Sequence, residues 1–87
     1  MLFVWDEHNV EHVGRHGVTA DEVEEAMLDA RRLVMPAYNV EGERRFAILG
    51  ATEAGRLLFV VYTKRDKCIR VITAREAAYL KRRYNKG

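Results

Sequence analysis

The sequence predicts an α+β fold in the order β-α-α-β-β-β-β-α, a mostly antiparallel sheet with helices packed on one side. Three observations predict it. Four strand-like segments follow one another between residues 31 and 72, separated only by short turn signals, which favours hairpins over crossovers. Two segments of helical period, each opened by a capping residue, precede them. A third helical stripe, rich in basic residues, closes the chain.

Residues 2–5 are a short apolar run and read as the first strand. Asp6 can cap a helix running to about His16, with Gly17 as its left-handed terminator. On that helix Val10, Val13 and Gly14 form the expected inner stripe, Gly14 permitting close backbone approach. His8, His12 and His16 follow at four-residue spacing and lie roughly opposite Val10, together with Asn9 and Arg15. Thr19 and Glu22 form a capping box opening a helix to about Ala30. Val23, Ala26, Met27 and Ala30 make its apolar stripe, and Asp21, Glu22, Glu24, Glu25 and Asp29 its acidic face.

Residues 31–39 contain Pro36 and read as an edge strand, because proline cannot donate to a central ladder. Glu41-Gly42-Glu43 suits a hairpin turn, and residues 45–50 a strand with Phe46 and Ile48 on one face and Ala47 and Leu49 on the other. After a second turn, Thr52-Glu53-Ala54-Gly55, the apolar run at 57–62 is the central strand, covered on both faces. The polar turn at 64–67 leads into the strand 68–72. Thr73 with Glu76 is a further capping-box pattern, so this strand should turn directly into the last helix. There Ala77, Leu80 and Tyr84 face inward, while Arg75, Tyr79, Arg82 and Lys86 face out.

Eighty-seven residues, 48% hydrophobic and 32% charged, suit one globular domain spanning 1–87. A core of this size leaves room for support from a partner or a second copy. No apolar run approaches the ~20 residues of a membrane span, and no signal-like start is present, so the cytoplasm is the expected compartment. Cys68 is the single cysteine, which excludes an internal disulfide and reads as a small buried hydrophobe. The net charge of +2 hides an asymmetry. Residues 1–30 hold eight acids against one arginine, a balance of −7, whereas residues 64–87 hold nine basic residues against two acids, a balance of +7. Such polarity suggests a basic surface for a polyanion and an acidic surface elsewhere.

Several strings in this order resemble the BrnT family of type II toxins. They are Phe3-Val4-Trp5-Asp6, His12 with Arg15-His16-Gly17-Val18, the segment 22–27, Gly42-Glu43-Arg44-Arg45, Gly55-Arg56, and Arg70-Val71-Ile72-Thr73-Ala74-Arg75. Two positions depart from that pattern: Arg15 stands where lysine is usual, and Lys81 where a glutamate often stands. The resemblance implies a RelE-like fold and RNA cleavage to inhibit translation, with no metal or other cofactor. It also implies a BrnA-like antitoxin of ribbon-helix-helix type, in a heterotetramer with the toxin or beside a toxin homodimer.

That chemistry needs a base for the attacking 2′-hydroxyl, an acid for the leaving oxygen and cations on the phosphorane. His12 or His16 could carry protons near neutrality. Arg70 and Arg75 could grip the phosphate, and Tyr84 could donate from its hydroxyl. Arg45, Lys64, Arg65, Tyr79 and Arg82 are the expected RNA contacts, Tyr79 by stacking on a base. His12 and His16 have metal-ligand spacing, but no third ligand stands near them. The competing reading is a non-catalytic module of the same fold that binds nucleic acid or protein through its basic face.

Overall fold

The computed structural model describes residues 2–87. Its elements are β1 (Leu2–Val4), α1 (Glu7–Gly14), α2 (Ala20–Met27), β2 (Leu33–Val40), β3 (Glu43–Ala51), β4 (Leu57–Arg65), β5 (Cys68–Glu76), a 3₁₀ turn (Ala78–Leu80) and α3 (Lys81–Lys86). The five strands form one sheet in the order β1-β5-β4-β3-β2. All pairings are antiparallel except that of β1 with β5. The expected α+β class and element order are therefore met. Strand β4 is central and β2, with Pro36, is an edge, both as the sequence predicts.

Turn chemistry sets the hairpins. Glu41 and Gly42 both have positive φ, as do Asp66 and Lys67, so two-residue turns of the mirror-image type join β2 to β3 and β4 to β5. Between β3 and β4, the Thr52 hydroxyl accepts from the Arg56 backbone and Gly55 takes φ +86.

The first two helices cover one face of the sheet, hereafter the helix face. Val13, Val23, Ala26 and Met27 pack there against Ile48, Leu58, Val60, Val71 and Ala74. Gly50 also lies under α2, where an added Cβ would run into the backbone of Ala26. Both N-caps form complete capping boxes, Asp6 with Asn9 and Thr19 with Glu22.

Five local expectations change. Val10 is 43% exposed, and the buried polar residue Asn9 takes the inner position on α1. Its side-chain amide donates to Val4 O at 2.9 Å and Val71 O at 3.2 Å, so burial leaves it satisfied. Gly14 has open space around it and makes no close approach. Helix α2 ends at Met27, leaving Ala30 exposed. Cys68 is half-buried instead of enclosed.

The largest change concerns the end of β5. Thr73 and Glu76 make no capping box, because the strand continues through Glu76 in register with β4. Each added residue gains ladder bonds, and Glu76 instead receives Arg56 Nε at 2.8 Å. The chain leaves the sheet at Ala77 and turns to the other side. Ala77, Leu80 and Tyr84 are inward as expected, but they pack with Leu33, Leu49, Leu57 and Phe59. Those strand residues alternate with the helix-face set, so α3 lies on the opposite face from α1 and α2. It roofs one end of that face and leaves the other end open.

Candidate functional site

Directly paired residues in a sheet send their side chains to the same face. Arg75 pairs with Phe59 and Arg70 with Thr63, in the same alternation that buries Leu58, Val60 and Tyr62 on the helix face. Both arginines therefore belong to the open face. Five residues apart, they would point to opposite faces of a regular strand. A bulge resolves this: Val71 pairs with Tyr62 and Thr73 with Val61, so Ile72 is an extra residue. It shifts Arg75 onto the face of Arg70. Arg45 has the parity of Ala47 and Leu49, so it joins them there.

The three guanidiniums are not equivalent. Arg70 Nη2 is 2.8 Å from Asp6 Oδ2, at the β1 edge. The Asp6 carboxyl is held below its ordinary pKa, first by the Asn9 backbone amide and then by Arg70. Arg45 Nε is 3.4 Å from Glu43 Oε1 but buried without a hydrogen-bond partner. Arg75 is exposed and, among the described residues, has no carboxylate at ion-pairing distance. At ~3.3 Å per residue, Arg70 and Arg75 are too far apart along the strand to start from one shared phosphate position. They suit successive phosphates of a chain.

The remaining expected residues are dispersed. Arg65 shares the open face, lining a shallow cleft with Glu43, Thr63, Cys68 and Arg70. Lys64, one residue earlier, points to the helix face, where its ammonium lies 4.6 Å from the centre of the Phe46 ring. Tyr79 is 74% exposed on the 3₁₀ turn and lines a second shallow cleft with Arg82 and Arg83. His12 and His16 are neighbours on α1, their rings edge to face at 5.7 Å, in the layer across the sheet from the three arginines.

Tyr84 is occupied. Its hydroxyl donates to Asp29 Oδ2, which also accepts from the Ala51 backbone at 2.9 Å. That bond raises the Tyr84 pKa, with burial adding to it. Burial pulls the Asp29 pKa upward, but bonds from Tyr84, Ala51 and Arg31 outweigh it and leave it lowered. The pair ties α3 to the loop after α2.

The family of ribonuclease toxins described as BrnT, of type II toxin–antitoxin systems, matches residues 5–79. The chain belongs to the BrnT family. No curated protein matches it. Membership makes RNA the target and an antitoxin the partner. The BrnT match covers Arg45, Arg65, Arg70 and Arg75 and stops short of α3, with Tyr84 outside it. Among the described residues no helix is long and apolar enough to cross a membrane.

Sequence reasoning missed Glu43 and Tyr38 on the open face, and the placement of Arg75 in a strand. Tyr38 pairs with Arg45 across the β2–β3 ladder. The available signal was Pro36, which marks an irregular edge strand, but no spacing rule locates the extra residue.

Proposed function

We propose that this chain, acting as one domain in the cytoplasm, cuts RNA without a metal on the open face of its sheet. The 2′-hydroxyl attacks the adjacent phosphate, forming the O2′–P bond as the P–O5′ bond breaks. Arg75 holds the scissile phosphate and stabilises the charge that builds on it, while Arg45 and Arg70 bind flanking phosphates. Water takes the 2′-hydroxyl proton and protonates the departing 5′-oxygen, since among the described residues no carboxylate lies at ion-pairing distance from Arg75. Arg65, Tyr79 and Arg82 extend the surface along the bound strand. The observation that carries this reading is the alignment of three arginines on an open sheet face in a ribonuclease-toxin chain. Tyr84 serves as a strut for α3, and the histidines of α1 stand outside the site. The antitoxin in this proposal is a BrnA-like ribbon-helix-helix protein that covers the basic face, forming a heterotetramer with two toxin copies.

The test is Arg75→Ala, expressed in a bacterial host and also assayed as purified protein on single-stranded RNA. Cleavage should fall about 100- to 1000-fold, the scale for losing a preorganised donor at a developing charge. Growth inhibition should fall with it, and the folded signal by circular dichroism should be kept. A folded variant that still fragments RNA at the wild-type rate would remove Arg75 from the site.

A further inference from the structure

The β2 edge of the open face carries a second parity change. Met35 pairs with Ala47, but the next pair is Tyr38 with Arg45, three steps on β2 against two on β3. In a regular ladder Ala37 would face Arg45, and Tyr38 would point to the helix side. The extra residue beside Pro36 turns the tyrosine onto the arginine face. Tyr38 is 43% exposed there. Among the described residues its hydroxyl has no hydrogen-bond partner and no aromatic ring stacks on it. Directly across the ladder stands Arg45, whose buried Nε makes no hydrogen bond among the described residues. Among those residues Glu43 is the one carboxylate near it, at 3.4 Å, so the rest of this half-buried guanidinium is left for an outside acceptor.

We propose that Tyr38 and Arg45 form a nucleobase subsite for single-stranded RNA. One base stacks on the Tyr38 ring, and the exposed part of the Arg45 guanidinium donates to that base's carbonyl oxygen or to the phosphate beside it. A half-exposed ring on an edge strand suits this role, because it leaves aromatic surface for a flat partner. Stacking tolerates any base, so Tyr38 sets where a base is held on the face, while Arg75 acts on the phosphate further along. The inference rests on the proposal that RNA lies on this face, and it adds the residue that grips a base there.

The experiment uses a single-stranded oligonucleotide that is 2′-O-methylated throughout, which removes the nucleophile, with 2-aminopurine placed at successive positions. The wild-type chain should bind it and quench the fluorophore at one position. Tyr38→Ala should weaken binding roughly 5- to 100-fold, the range for one lost base–aromatic stack, and abolish the quench. Tyr38→Phe should keep both, because the ring and not the hydroxyl makes the contact. Wild-type affinity and quench in Tyr38→Ala would overturn the subsite, and so would absence of probe binding by the wild type. Cleavage is read separately on natural RNA. A chain that quenches through Tyr38 but leaves RNA intact refutes the nuclease proposal and keeps the subsite. Cutting at unchanged positions and rate by Tyr38→Ala does the reverse.

Discussion

The two faces of the sheet are built on different rules. On the helix face, apolar side chains from two helices and four strands meet with Val13, Val23, Ile48, Leu58 and Val60 fully buried. Polar groups at its margins are satisfied within the chain: Asn9 reaches two carbonyls, Trp5 donates to Glu24, and Arg56 joins Glu22, Glu76 and Gly17. The open face is roofed by α3 at one end only; beside that roof, paired with Phe59, stands Arg75 without a carboxylate, and at the far end Arg45 with an orphan donor. The same sheet divides the charge, with the acids of α2 on one side and Arg45, Arg65, Arg70 and Arg75 on the other. Satisfied groups indicate where a protein is finished, and unsatisfied ones where it expects company.

If that division is real, substitutions on the helix face should move stability and those on the open face should move RNA chemistry. Gly50→Ala is the most severe test of the first half. Its methyl would be driven into the Ala26 backbone, and overpacking of this kind costs about 3 kcal/mol. Denaturant unfolding should show it, and unchanged stability would mean α2 can slide off β3 freely. Arg56→Ala comes next, breaking a hub between the α1–α2 loop, β4 and the end of β5. We expect about 1–2 kcal/mol, discounted because the ion pairs are partly solvated. Cleavage by the folded fraction should persist, and its selective loss would make Arg56 part of the site.

Tyr84→Phe should cost about 1 kcal/mol, the scale of one hydrogen bond to a carboxylate. Its pH dependence is more telling. Tyr84 has a raised pKa in the folded chain, so the stability it gives is complete below the unfolded tyrosine value and fades as pH rises through the folded one. Asp29 has a lowered pKa, so its stability is present above the unfolded carboxylate value and fades as pH falls through the folded one. Unfolding of Tyr84→Phe at a series of pH values should show the alkaline contribution gone and the acid one reduced. A profile parallel to wild type would break the clasp. The smallest effects belong to His12→Ala and His16→Ala, with stability within about 0.5 kcal/mol and cleavage unchanged. A large loss of cleavage in either would bring α1 into the site and end the two-face division.

Much of this was legible in the sequence, for identifiable reasons. Capping residues act locally, so Asp6 and Thr19 announced α1 and α2. The turn at Glu41-Gly42 and the apolar run at 57–62 likewise set the hairpin order and the central strand. What failed was decided at long range. Thr73 and Glu76 satisfy a local helix rule, but pairing with Val61 and Leu58 on β4 outweighs it. Asn9 sits inside because carbonyls of β1 and β5 await it, which helical periodicity cannot know. Among the expected RNA residues, Arg45, Arg65, Arg70 and Arg75 come together on the face. Lys64 does not, because alternation separates it from Arg65.

The extra residue at Ile72 has a consequence for reading related chains. A strand counts in twos, and an insertion of one shifts its phase for every residue that follows. Between Arg70 and Arg75 the chain therefore carries information in its length as well as in its letters. A relative with one residue fewer in that interval would preserve both arginines and present just one of them on the open face. Alignment gaps inside β5 should be treated as changes of surface, equivalent to exchanging a whole row of side chains.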